Sequence, residues 1–243
     1  MTSGSGSRVE AERRSEIAAR LSAVRARIAA ACRSAGRGSD EVTLIAVTKT
    51  RPVSDIRLLY ELGVPDIGEN KDQEAAPKAA ESAALGLDLT WHFVGQLQTN
   101  KAASVVSYAQ VIHSVDRLRL VGVLGSRARA AGRTVTCLVQ VSLDGDTARG
   151  GAAEPHVAAL ADAVAGQDGL VLGGVMAVAP LGMPADAAFG KLRGVADEVR
   201  SAHPGAVTIS AGMSDDLEVA IEAGATHVRV GTALLGGRSA FVR

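Results

Sequence analysis

The feature that most limits what this chain can fold into is a regular alternation of short, apolar, β-rich runs with helical stretches. The runs fall at Val42–Val47, Pro65–Gly68, Thr90–Gly95, Gln110–His113, Val135–Val141, Leu170–Val178, Ala206–Ser210 and Thr226–Val230. Helical patterns lie between them, among others at Val53–Leu62, Asp116–Ala131, Glu154–Val164, Ala185–Ala202 and Asp215–Ala223. Strands joined through helices lie parallel, because a crossover returns the chain to the same end of the sheet. Counted generously there are eight strand–helix units in 243 residues. That number favours a single α/β domain closed as a TIM-type (β/α)8 barrel over an open doubly wound sheet, although alternation by itself does not decide between them. Ahead of the alternation Ile17, Leu21, Val24 and Ile28 recur at spacings of four and three, the period of a helix running from Val9 to about Ala35. Residues 1–8 are Ser/Gly-rich and read as a flexible tail, and 9–243 as one barrel domain carrying an N-terminal helix.

Composition narrows the function classes. Aromatic residues make up only 2% of the chain against 47% hydrophobic, so the core is expected to be Val, Leu, Ile and Ala. The 26 basic and 26 acidic residues cancel, which leaves no net field to draw in nucleic acid or an anionic membrane. Cys32 and Cys137 have no CxxC partner and read as free thiols of a reducing cytoplasm. No secretory signal and no apolar run near the roughly 18–20 residues of a membrane span is visible, so a cytoplasmic protein is expected. The five histidines lack metal-ligand spacing, and no metal is expected. Phosphate-loop, dinucleotide-loop and GxSxG signatures are likewise missing.

In a barrel the functional groups sit at the carboxyl ends of the strands. Lys49 follows the first strand, Glu69-Asn70 the second, and His92 lies within the third. Met176 lies near the end of the sixth, Ser210 to Ser214 follow the seventh, and Gly231-Thr232 the eighth. A lysine at an apolar strand end is expected to be partly desolvated, which frees its amine for attack on an aldehyde; the plainer alternative is a rim lysine in a surface ion pair. The Gly212-Met213-Ser214 and Gly231-Thr232 turns could hold a phosphate through backbone N–H groups and hydroxyls, or be ordinary turn and cap residues. Asp215 and Asp216, beside the first turn, are expected to face outward. Arg229, inside the eighth strand, needs a buried acceptor, which could be a ligand ring nitrogen or a structural carboxylate.

These candidates stand in a recognisable order. Ala46-Val47-Thr48-Lys49-Thr50, Gly68-Glu69-Asn70 with Gln73-Glu74, and Trp91-His92-Phe93-Val94-Gly95-Gln96-Leu97-Gln98-Thr99-Asn100-Lys101 resemble motifs of the pyridoxal phosphate homeostasis proteins. Gly174-Val175-Met176-Ala177, the segment 210–216 and the segment 228–233 continue the match to about residue 238. The family's fold is similar to the barrel domain of alanine racemase. The resemblance implies pyridoxal 5'-phosphate as cofactor, held as a Schiff base on Lys49. It implies that Ser214, Gly231 and Thr232, with Ser210 and the Met213 amide, hold the phosphate. It places Arg229 at the ring nitrogen, and Asn70 and Met176 along the ring. Lys71 stands where many members carry Tyr, and Arg149 where many carry Lys; neither is assigned a role.

An arginine beside the ring nitrogen disfavours the pyridinium and weakens the ring as an electron sink. Racemases of this fold add a second base from a separate domain. Only Arg238 to Arg243 follow Gly237, so no such domain is expected here. The resemblance therefore implies a carrier in vitamin B6 and amino-acid homeostasis, read as a monomer whose partners are the cofactor and the apo-enzymes receiving it. The alternatives are a pyridoxal phosphate-dependent racemase, and a cofactor-free Schiff-base enzyme acting on a phosphorylated metabolite.

Overall fold

The computed structural model describes residues 3–237. Eight parallel strands form its centre: β1 (Thr43–Val47), β2 (Asp66–Glu69), β3 (Thr90–Phe93), β4 (Val111–Val115), β5 (Val135–Ser142), β6 (Leu170–Met176), β7 (Thr208–Ser210) and β8 (His227–Val230). Each pairs with the next in sequence, and β8 returns to β1 with Thr43 opposite His227 and Ala46 opposite Val230. The β4–β5 pairing, Val111 opposite Thr136, leaves no gap in the ring. The sheet is thus a closed barrel, and the open doubly wound alternative is excluded. A two-residue strand, Ala152–Ala153, extends the ladder beside the end of β5.

Helices cover the outside: α1 (Ser3–Ser34), α2 (Val53–Glu61), α3 (Asp72–Ala84), α4 (Ala102–Tyr108), α5 (Leu118–Ala130), α6 (Val157–Ala165), α7 (Ala185–Ala202), α8 (Leu217–Glu222) and α9 (Thr232–Leu235). Observed strand limits lie close to those read from apolar runs. α3 escapes the periodicity reading because its buried face consists of Asp72, Ala75, Ala79 and Ser82, too weakly apolar to give a 3.6-residue signal, and because Pro77 lies within it. α1 begins at Ser3 rather than Val9, so most of the segment read as a tail is helical. Once a helix is nucleated each further residue adds a hydrogen bond, and the Arg8–Glu12 pair at 3.0 Å supports the first exposed turns. Met1 and Thr2 of that expected tail lie outside the described residues.

The apolar core lies between barrel and helices, in two parts. Ile17, Leu21, Val24 and Ile28 of α1 are buried with Leu217 and Ile221 of α8, Val228 and Val230 of β8, and Leu234 and Leu235 of α9. The second part joins β3–β6 to α4–α7 around Phe93, Leu124, Val139 and Phe189. Each fully buried aliphatic side chain contributes roughly 1.5–3 kcal/mol. This packing docks α1 against the two loops that matter most below. Among the described residues no helix is long and apolar enough to cross a membrane.

Candidate functional site

A cavity of about 640 Å³ opens at the carboxyl ends of the strands, a size ordinary for a small-molecule site. Lys49, Asn70, Met176, Met213, Ser214, Arg229, Gly231 and Thr232 all line it. Residues separated by up to 183 positions therefore share one wall because each ends or follows a barrel strand. The sequence reading missed other members of that wall: Arg51, Lys71, Glu74, Gly95 and Asp215. Asp215, expected to face away, borders the cavity at its exposed rim.

Lys49 is exposed to this space rather than desolvated, because it lies two residues past the end of β1. Among the described residues no carboxylate pairs with it, so the surface ion pair is not formed. Its backbone is held from both sides. Thr48, fully buried, donates from Oγ1 to Glu69 Oε1 at 2.7 Å, and its carbonyl accepts Lys78 Nζ at 2.9 Å. Thr50 adopts φ +63°, a left-handed conformation unusual for a β-branched residue, and its N–H donates to Glu74 Oε2 at 2.9 Å. Strain of this kind persists only where neighbours over-determine it.

Glu69 is itself fully buried, 2.7 Å from Lys78, with its second oxygen unpartnered. Burial raises its carboxyl above the ordinary range, and the Lys78 ion pair only partly opposes this. Removing one partner of a buried pair strands the other. Lys78→Met should lower the unfolding free energy by about 3 kcal/mol in urea titration. The same substitution in a Glu69→Gln background should cost clearly less; equal costs would mean that the pair is not coupled. Nothing local marks Lys78, which faces Glu69 only because α3 folds back onto β2.

The opposite wall carries the two turns after β7 and β8. Ser214 Oγ accepts the Ala233 N–H at 3.3 Å, which ties the turns together and leaves the hydroxyl proton free to donate into the cavity. Thr232 opens α9, where the first N–H groups have no acceptor within the helix. α1 braces both turns from behind. Arg27 pairs with Glu218 at 2.6 Å and donates to the Ser214 carbonyl at 2.9 Å, and Arg13 donates to the Leu235 carbonyl at 3.2 Å.

The Met213 amide and Ser210 already have partners within the protein. The Met213 N–H already donates to Asp216 Oδ1 at 2.6 Å, since a short acidic side chain in a turn captures a nearby amide. Ser210 does not line the cavity. It is fully buried beneath Arg229, whose Nη1 donates to its Oγ at 2.6 Å. Arg229 also donates to the Ala177 carbonyl at 2.9 Å and has no carboxylate partner among the described residues, so the structural salt bridge is not formed. Burial lowers it to about 10, still fully charged at neutral pH.

Elsewhere in the cavity wall, Asn70 has a buried Oδ1 without a partner, and its carbonyl would lie 2.0 Å from a Cβ at position 95, so only glycine fits there. Arg149 lies elsewhere. It pairs with Asp144 and Asp146 beside a smaller cavity of about 180 Å³ that includes Gln140 and Ser142. Among the described residues no three His, Cys, Asp or Glu side chains gather as metal ligands.

Residues 19–239 match the family model described as alanine racemase, N-terminal domain. The chain is 43% identical over 245 residues to the pyridoxal phosphate homeostasis protein of Mycobacterium tuberculosis, covering 93% of this chain and 95% of that protein. It is 37% identical over 227 residues to the Escherichia coli protein of the same name, covering 92% and 97%. PipY of Synechococcus elongatus, solved with PLP bound, superposes with a TM-score of 0.79 at 36% identity, over 90% of this chain and all of that one.

Proposed function

The chain belongs to the pyridoxal phosphate homeostasis proteins, built on the alanine racemase N-terminal domain, and from that premise we propose that it holds pyridoxal 5'-phosphate in this cavity as a Schiff base on Lys49. One observation carries the reading: a free primary amine, a buried guanidinium and a pair of hydroxyl-bearing turns converge on one cavity. The donor set fits the group. The cofactor supplies an aldehyde for an amine to capture, on a ring with an acceptor nitrogen and a phosphate arm.

The residues divide the task. Lys49 offers the amine. Arg229 turns its remaining N–H donors toward the ring nitrogen. Ser214, Gly231 and Thr232 receive the phosphate on the β7 and β8 turns, and Asn70 and Met176 flank the ring. Ser210 acts through Arg229. The chain then keeps the cofactor available for vitamin B6 and amino-acid homeostasis, as a cytoplasmic monomer passing it to apo-enzymes.

The carrier reading over a racemase is supported by the cavity wall, whose lining residues, among those described, include no tyrosine or histidine to serve as a second base. Tyr108 instead stands edge-on to Trp91, 6.2 Å between ring centroids. Loaded protein mixed with a defined apo-enzyme should restore that enzyme's activity. With L-alanine in deuterium oxide it should form little D-alanine; turnover of about 1 s⁻¹ or faster would favour the racemase.

The phosphate assignment has its own test. A hydrogen bond to a charged group is worth roughly 1.5–3 kcal/mol, so Ser214→Ala should weaken pyridoxal 5'-phosphate binding about 10-fold or more. Unphosphorylated pyridoxal should bind almost as before. Equal losses for both ligands would show that Ser214 only ties α9 in place.

A further inference from the structure

We propose that Ser210, His113 and His92 are positioning residues for Arg229, joined in a one-way hydrogen-bond relay that begins at its guanidinium and ends on the Asp66 carboxylate. Its geometry stands apart from the cofactor, whereas its consequence for binding rests on the reading above. The links are Arg229 Nη1 to Ser210 Oγ at 2.6 Å, Ser210 Oγ to His113 Nδ1 at 3.0 Å, His113 Nε2 to His92 Nδ1 at 2.9 Å, and His92 Nε2 to Asp66 Oδ1 at 3.0 Å. Ser210 on β7 reaches His113 on β4, strands that are not neighbours, so the relay crosses the barrel interior. His92, His113 and Ser210 are buried, and Asp66, the first residue of β2, has its side chain 23% exposed.

The ends dictate the direction. Arginine only donates and an ionised carboxylate only accepts. Arg229 therefore donates to Ser210, whose O–H donates to His113 Nδ1. His113 Nε2–H donates to His92 Nδ1, and His92 Nε2–H donates to Asp66. Every link is made with both imidazoles neutral and both in the Nε2–H form. A second proton on His92 would reverse the inner links, leave the Ser210 O–H without an acceptor, and add a cation to a barrel that already encloses Arg229. Burial and the neighbouring His92 and Arg229 hold His113 well below its ordinary value, in agreement with the neutral form. The relay gives a buried guanidinium that meets no carboxylate among the described residues a chain of aligned dipoles ending on a negative charge. That fixes its plane and leaves its other donors facing the cavity.

The test starts on the full chain without cofactor. Nitrogen-15 NMR of the imidazoles at pH 7 should find His92 and His113 both neutral and protonated on Nε2; an Nδ1–H tautomer or a doubly protonated ring at either would overturn the relay. Titration with pyridoxal 5'-phosphate then reads the consequence. His113→Leu, and Ser210→Ala as the variant least disturbing to the fold, should each weaken binding about 10-fold. His113→Gln, which keeps one acceptor and one donor, should recover most of the loss. Unchanged affinity in Ser210→Ala, or no rescue by Gln in a folded protein, would overturn the positioning role. Unmutated protein that has the expected tautomers and ignores pyridoxal 5'-phosphate would sink the cofactor reading while supporting the relay.

Discussion

Lys49→Ala, mixed with pyridoxal 5'-phosphate and reduced with borohydride, should yield no stoichiometric pyridoxyl peptide, whereas the unmutated chain should carry the adduct on Lys49. The proposal rests on which amines are free. Lys78 is committed to Glu69 and the Thr48 carbonyl, and Lys191 to Glu154 at 3.0 Å and the Leu143 carbonyl. Lys101 lies 3.8 Å from Asp72. Lys71 is the other lysine lining the cavity, so it is the competitor that peptide mapping must distinguish. A stoichiometric adduct on Lys71 would transfer the Schiff base across the cavity and overturn the assignment. Because the β7 and β8 turns do not depend on Lys49, the variant should retain weaker, non-covalent affinity for the phosphorylated cofactor. Loss of that residual affinity together with the covalent bond would mean that the substitution had collapsed the Thr48–Thr50 turn, which circular dichroism and thermal melting would reveal.

Acid should unfold this barrel earlier than a typical carboxylate-driven transition. His113 is held well below its ordinary 6.5 and His227 at about 4, in both cases chiefly by burial. Below pH 6.5 the unfolded chain takes up protons that these two rings refuse, so their contribution is complete above that pH and is lost as pH falls. For His227 the loss ends near pH 4, and the loss from His113 runs in the same direction. A ring that stays neutral in the folded state costs about 1.4 kcal/mol per pH unit, so His227 costs about 2–3 kcal/mol between pH 6.5 and 4.5, and His113 adds to it with the same sign. Glu69 acts in the opposite sense, since its raised carboxyl favours the folded state as pH falls toward its ordinary value. The net loss of unfolding free energy should be on the order of 2 kcal/mol or more, a sizeable share of a typical domain's stability. Urea titrations at pH 7 and 4.5 would measure it. A profile that stays flat in a Glu69→Gln background would mean that both rings protonate freely in the folded state, which for His113 would also break the relay. His113→Gln should make the slope shallower.

Much of this protein was determined by its sequence alone. The limits of the strands follow from apolar runs, because a strand buried on both faces must be apolar along its length. The buried face of α1 follows from Ile17, Leu21, Val24 and Ile28, because helical period and burial are both local properties. That Lys49, Asn70, Met176, Ser214, Arg229, Gly231 and Thr232 line one cavity was legible because a parallel barrel brings all its strand ends to one rim. Tertiary structure alone decided the rest. Closure depends on the β4–β5 ladder, and alternation is the same in open and closed sheets. Ser210 and Arg229 look like two ligand-facing residues in sequence, but the first lies one layer deeper, since position along a short strand sets depth in the barrel. Lys78 beneath Lys49, Arg27 behind Ser214 and His113 against Ser210 meet only after the ring has closed, at separations in sequence where no periodicity operates. Local patterns carry which residues reach the rim; the orientation, charge and protonation of each are set by what the closed barrel places beside it.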